Sequence, residues 1–222
     1  MSNTSVESPK KSGAAPPNDF DPESLGPRQI AGWAVPFNIQ REQRSHTHDD
    51  YRYRETVLAT CFDDDLRERS AARPLLYEHA FGVPGRPIEA VPIGRTVELQ
   101  PYACGLWCVA ELNDGALPDA TLAACRSGTL GFSIRASDLE PDIDHGETGD
   151  LPAVTRRKLT LREVSLTAEP AWAPETMITV VGGRPVPPRE KDEDMTTESA
   201  QDAYDRWLAE CTHDRDIKVA QV

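Results

Sequence analysis

The sequence predicts an α+β domain, a mostly antiparallel β-barrel or compact sheet, with a few short helices and disordered tails at both ends. Three observations predict it. Apolar residues recur in short, often alternating runs of strand length from Gln29 to Val181. Clusters of Gly, Pro, Asn and Asp punctuate those runs, as turns do. Only two stretches between them carry a helical pattern, and both are short. Self-similarity at solenoid spacing is absent.

Taken in order, residues 1–27 are rich in Ser, Pro, Asn, Gly and charge, the composition of a disordered leader. Order is expected from residues 29–37, where apolar residues alternate and Trp33 is large enough to anchor a core. Residues 41–54 are polar and read as a loop, and 55–62 as a strand. Asp63, Asp64 and Asp65 offer an N-cap and first-turn acids to a short helix through 66–72. Strands follow at 75–79, 93–99 and 105–112, the last ending in the turn residues Asn113, Asp114 and Gly115. The second helix covers 118–126, with Pro118 near its start, Asp119 in its first turn and Gly128 past its end. A strand through Ser133 comes next. Residues 137–152 are acidic and broken by Gly and Pro, a long loop. Residues 154–161 and 163–167 give one long strand or two short ones, and 177–181 is the last apolar run. Beyond Gly182 and Gly183 the chain turns Pro-rich, then acidic. The expected division is a leader over 1–27, a folded domain over 28–182, and a linker and tail over 183–222.

Of the 222 residues 38% are hydrophobic and 19 are proline, enough for one core plus unpacked segments. A formal charge of −13 argues against nucleic-acid phosphates or an anionic membrane surface as the main partner. Nothing approaches the roughly 18 apolar residues of a membrane span. The polar N-terminus lacks the apolar stretch of a secretory signal. Cys61, Cys104, Cys108, Cys125 and Cys211 are odd in number and form no CxxC pair. They read as free thiols in a reducing compartment, packed as small hydrophobes.

The chemistry lies in three of the strand-like runs. Gly128 to Ile134 holds Ser133 within an apolar, β-branched stretch. His79 closes the apolar run from Leu75, whereas His46, His48, His145 and His213 sit in polar or terminal stretches. Glu163 lies in an alternating run that places Leu161, Glu163 and Ser165 on one face and Arg162, Val164 and Leu166 on the other. Singly, each has an ordinary structural explanation: a packed serine, a hydrogen-bonded histidine, a solvated carboxylate. Together they are the parts of a serine hydrolase. The serine lacks a second flanking glycine and its strand follows a helix, so the nucleophile-elbow arrangement does not fit.

The order His79, Ser133, Glu163 belongs to a longer series of blocks. It begins with Gly32-Trp33-Ala34-Val35-Pro36-Phe37-Asn38, then Glu55 and Cys61-Phe62. It continues with Leu75-Leu76-Tyr77-Glu78-His79, Ile93-Gly94 and Gly105-Leu106. It closes with Gly131-Phe132-Ser133-Ile134 and Glu163-Val164-Ser165-Leu166-Thr167-Ala168-Glu169-Pro170-Ala171. Over residues 30–181 the series resembles the prohead (capsid maturation) protease family of tailed bacteriophages. Two departures stand out. That family often has Asn before its histidine and Asp after it, where this chain has Glu78 and Ala80. It often has glycine after the Ser-Ile pair, where this chain has Arg135.

The resemblance implies a fold similar to the herpesvirus assemblin proteases and the activity of a serine endopeptidase. Such an enzyme is packaged inside the immature capsid in the bacterial host's cytoplasm. It cuts the scaffold protein, or the scaffold-like N-terminal segment of the major capsid protein, and finally itself. Carried over, Ser133 is the nucleophile, His79 the general base and then acid, and Glu163 the third member. Arg156 and Arg157 fall where the related viral fold uses an arginine-containing loop, which marks them for the oxyanion and substrate region. No cofactor is implied, and a homodimer is a further implication because related viral proteases depend on dimerisation.

Other readings compete. A β-barrel capsid or scaffold interaction protein needs no catalytic serine, and the acidic tail would serve it by binding a basic partner. A cysteine hydrolase would use Cys61 or Cys125, but neither thiol has a visible activating neighbour. Residues 142–150 lack the closing glutamate of a calcium loop. His46-Thr47-His48-Asp49-Asp50 has no second half-site. No metal is expected.

Overall fold

A computed structural model describes residues 15–44, 52–80, 91–139, 141–145 and 150–186. The leader before residue 15, the tail from 187 and the His46 to Asp50 segment lie outside the described residues, as does part of the 142–150 stretch. The strands are β1 (Gln29–Pro36), β2 (Gln40–Arg44), β3 (Arg52–Val57), β4 (Pro74–Tyr77), β5 (Gly94–Tyr102), β6 (Gly105–Leu112), β7 (Gly131–Asp138), β8 (Pro141–Asp144), β9 (Ala153–Arg156), β10 (Leu159–Thr167), β11 (Val180–Val181) and β12 (Arg184–Pro185). Two helices interrupt them, α1 (Asp63–Glu68) and α2 (Ala116–Arg126). The architecture is α+β and mostly β-sheet, with pairing that is antiparallel except at β4–β10 and β3–β9.

Eight strands form the larger sheet, in the order β12-β11-β1-β6-β5-β4-β10-β7, and four form the smaller, β2-β3-β9-β8. Of the expected barrel or compact sheet, no closed barrel forms: the large ladder is open, with β7 and β12 at its two ends. Residues 176–179 bring its sides together without a ladder. Phe132 N–H bonds Thr176 O, Ile178 N–H bonds Leu130 O, and Thr179 N–H bonds Ala31 O. The start of β7 passes very close to this segment. A Cβ at Gly131 would lie 2.8 Å from both Pro170 Cγ and Thr176 O, so only glycine allows that approach.

The expected loop over 41–54 contains most of a hairpin, β2 with β3. Its signal was hidden because these strands carry charged, largely exposed residues instead of an apolar face. β2 makes its own contacts: Arg41 donates to Ala173 O and pairs with Glu175 at 2.8 Å, and Gln43 donates to Ala171 O. The expected loop over 137–152 likewise contains β8, a strand paired with β9 and exposed at Asp142 to Asp144.

One face of the large sheet packs with α2 into the main core, which includes Ile30, Phe62, Leu106, Leu122, Phe132 and Leu161. α2 ends where Gly128 takes φ 70° and its N–H bonds Cys125 O, the left-handed stop expected of a glycine there. That stop lets the chain enter β7 three residues later. The opposite face of β1 and β6 holds a second cluster around Trp33 and Trp107. Residues from the expected leader cover it. Phe20 packs edge-on against Trp107 at 4.9 Å between ring centroids, and Trp33 Nε1 donates to Ala15 O at 3.0 Å. Partial desolvation and a hydrogen bond to Asp19 raise the Tyr102 phenol pKa on the same side. Packing thus begins before residue 28.

A buried ion pair ties α1 to the large sheet. Asp65 and Arg73 are each 5% exposed, and Asp65 Oδ2 accepts from Arg73 at 2.8 Å. The same oxygen accepts from Leu161 N–H, and Arg73 Nε donates to Leu161 O. Asp65 is thus turned inward, whereas the sequence suggested a cap. Asp65 and Arg73 together hold both backbone polar groups of Leu161 in β10.

Candidate active site

β10 changes register immediately after that anchor. Leu161 pairs with Ala136 and Glu163 with Arg135, leaving Arg162 as the extra residue of a bulge. Strict alternation would put Leu161 and Glu163 on one face. The bulge overturns this: Leu161, Val164 and Leu166 all enter the main core, and Glu163 and Ser165 face the other way. Across the ladder, Phe132 and Ile134 pack on the core while Ser133, opposite Ser165, takes the face of Glu163.

The parallel pairing of β4 with β10 delivers the histidine. Tyr77 lies opposite Leu166, so an extended continuation would carry His79 about 16 Å along β10 from Glu163, at roughly 3.3 Å per residue. The chain instead folds back. Glu78, His79 and Ala80 have φ of 48°, 54° and 50°, three successive non-glycine residues in the left-handed region. Each costs about 1–2 kcal/mol, so the turn persists only because its surroundings hold it.

The result is a continuous chain of hydrogen bonds. His79 Nε2 lies 2.9 Å from Ser133 Oγ, and His79 Nδ1 lies 2.6 Å from Glu163 Oε1. A carboxylate only accepts, so the Nδ1 proton points at Glu163 and Nε2 is left as the acceptor for the serine hydroxyl. Ser133 is 7% and Glu163 5% exposed, so these bonds are largely removed from water. Glu163 Oε1 also accepts from Ser165 Oγ at 3.3 Å, and Arg135 Nε stands 3.8 Å away.

The remaining expected residues divide. Arg156 is held by Glu55 at 2.7 Å and Asp138 at 2.6 Å, with Tyr53 under its guanidinium. Burial opposes its charge, but hydrogen bonds to Asp138 and Glu55 outweigh that and raise its pKa. Arg157 pairs with Asp142 at 2.6 Å on an exposed flank. A cavity of about 270 Å³ is lined by Ser133, His79, Ile134, Trp172, Tyr53 and Arg156, among others. Arg156 shares this cavity with the serine, and Arg157 does not. The contributions of Tyr53 and Trp172 were not legible in the sequence, because they come from the concealed hairpin and from the segment it grips.

Cys61 and Cys125 do not offer a nucleophile. Burial is the largest cause pushing both thiols well above their ordinary pKa, with Asp63 adding to the effect at Cys61. Cys108 is raised by burial in the same way. Iodoacetamide followed by peptide mapping should therefore modify exposed Cys104 readily and spare Cys61, Cys108 and Cys125 until denaturant is added. Among the described residues no group of three or more His, Cys, Asp and Glu side chains is placed to hold a metal ion, and no helix is long and apolar enough to cross a membrane.

Fold and site together define a mostly-β chain with an open eight-stranded sheet and a hydrogen-bonded Ser-His-Glu series on its non-core face. No protein-family profile and no curated protein matches this sequence. Among solved structures it is similar to KSHV protease in complex with a hexapeptide phosphonate inhibitor, with a TM-score of 0.40 and 13% identity. The match covers 68% of this chain and 63% of that one, less than two thirds of its length.

Proposed function

We propose that this chain is a serine endopeptidase acting through an acyl-enzyme. The observation that carries the reading is the single imidazole bridging Ser133 Oγ and Glu163 Oε1 at 2.9 and 2.6 Å. In the first step Ser133 Oγ bonds to the peptide carbonyl carbon and its proton passes to His79 Nε2. Glu163 keeps the Nδ1 proton in place and stabilises the imidazolium so formed. The C–N bond then breaks as His79 returns that proton to the departing amine. Water, deprotonated by the same nitrogen, releases the acyl group and restores the serine.

The substrate would lie in the cavity beside Ser133, bounded by β7 and the small sheet. Arg156 is committed to two carboxylates, so any part it takes in the oxyanion region would come from its main chain and not from its guanidinium. The blocks shared with the prohead proteases favour the scaffold protein, the N-terminal segment of the major capsid protein, and this chain itself as substrates. On that reading the protein works inside the immature phage capsid.

A fluorophosphonate tests the chemistry directly, since its phosphorus bonds to an activated serine oxygen and fluoride departs. Mass spectrometry should find the adduct on the peptide containing Ser133, and His79→Ala should slow its formation at least about 10³-fold. Prolonged incubation that leaves Ser133 unmodified would overturn the proposal.

A further inference from the structure

We propose that Glu78 is a positioning residue that holds the general base in its reactive place, an inference that rests on the endopeptidase reading of the same site. His79 sits in the middle of three left-handed residues, and β5 pairs with β4 only at Pro74 and Leu75. The pairing with β10 reaches Tyr77 and stops there. Beyond that point the Glu78 carboxylate takes over. Its Oε2 accepts from Thr167 Oγ1 at 2.7 Å and its Oε1 from Ala168 N–H at 3.1 Å. Thr167 Oγ1 in turn accepts from Glu169 N–H at 3.2 Å, which orients the hydroxyl towards Glu78.

Both anchors lie at the end of β10, the strand that carries Glu163. The carboxylate therefore fixes the backbone of His79 to the same rigid element whose Glu163 accepts the hydrogen bond from its Nδ1–H. A turn released from this clamp would relax towards ordinary dihedral angles and carry the ring away from Ser133. A glutamine fits the same place: its oxygen can accept from Ala168 N–H and its amide can donate to Thr167 Oγ1. Alanine can do neither. Thr167→Val keeps shape and volume while removing one anchor.

The test uses the full chain and two readouts. The first is the downfield proton resonance of His79 Nδ1–H bonded to Glu163, which needs no catalysis. The second is the rate of fluorophosphonate labelling of Ser133. Glu78→Ala should erase the resonance and slow labelling about 10²-fold, the scale of an ångström-sized misplacement of a reacting group. Thr167→Val should slow labelling about tenfold, and Glu78→Gln should stay within about threefold of the parent with its resonance intact. Should Glu78→Ala fold poorly, the threonine and glutamine variants decide alone. A resonance and labelling rate unchanged in Glu78→Ala or Thr167→Val would overturn the positioning role, and so would a lost resonance with unchanged labelling. A parent protein that shows the resonance but never labels, while Glu78→Ala loses the resonance, would instead overturn the endopeptidase reading and leave the clamp standing.

Discussion

Ser133→Ala is expected to abolish processing of a co-expressed capsid or scaffold protein, with a loss of roughly 10⁶-fold in a peptide-cleavage assay. The loss is large because hydroxyl and imidazole act as one unit, and removing either member removes the covalent route. Folding should survive. The Oγ bonds His79 at the cavity wall, and losing one such bond costs about 0.5–1.5 kcal/mol. A Tm lowered by no more than a few degrees, together with lost cleavage, is the predicted pair of results. Processing at the parent rate would show that the nucleophile lies elsewhere. If deletion of 184–222 then weakened assembly while Ser133→Ala did not, the chain would be an interaction protein.

Asp65→Ala is expected to lower stability by about 3–5 kcal/mol in urea denaturation, far more than its size suggests. It would strand the guanidinium of Arg73 in a site where Arg73 is 5% exposed, and leave Leu161 N–H without the Asp65 acceptor. The double change Asp65→Leu with Arg73→Met should recover much of the loss, because it removes both buried charges together. A single-variant cost below about 1 kcal/mol would mean that the pair is solvated, against its burial here. Because this network grips β10 just before its bulge, partial loss of structure there should also lower cleavage.

What could be read from the sequence follows from which signals are local. The strands at β1, β6 and β10 showed themselves because they bury apolar residues of their own. Ser133, His79 and Glu163 showed themselves because each closes or interrupts such a run. β2 and β8 did not, since their order comes from partners and not from an apolar face. The bulge at Arg162 was also illegible: alternation carries no mark of an inserted residue, and the face of Glu163 was assigned with the wrong companions. Glu78 and Arg135 were noticeable only as departures from a family pattern. Their contacts with Thr167 and Glu163 depend on strands distant in the chain.

On the endopeptidase reading, the cavity bears on selectivity. Its walls come from both sheets, Ser133 and His79 from the larger, Tyr53 and Arg156 from the smaller. A nascent chain in which only the larger sheet has formed would already possess hydroxyl, imidazole and carboxylate in line. It would lack the Tyr53 and Arg156 part of the cavity lining, so on the endopeptidase reading the smaller sheet is what completes the bed for a peptide.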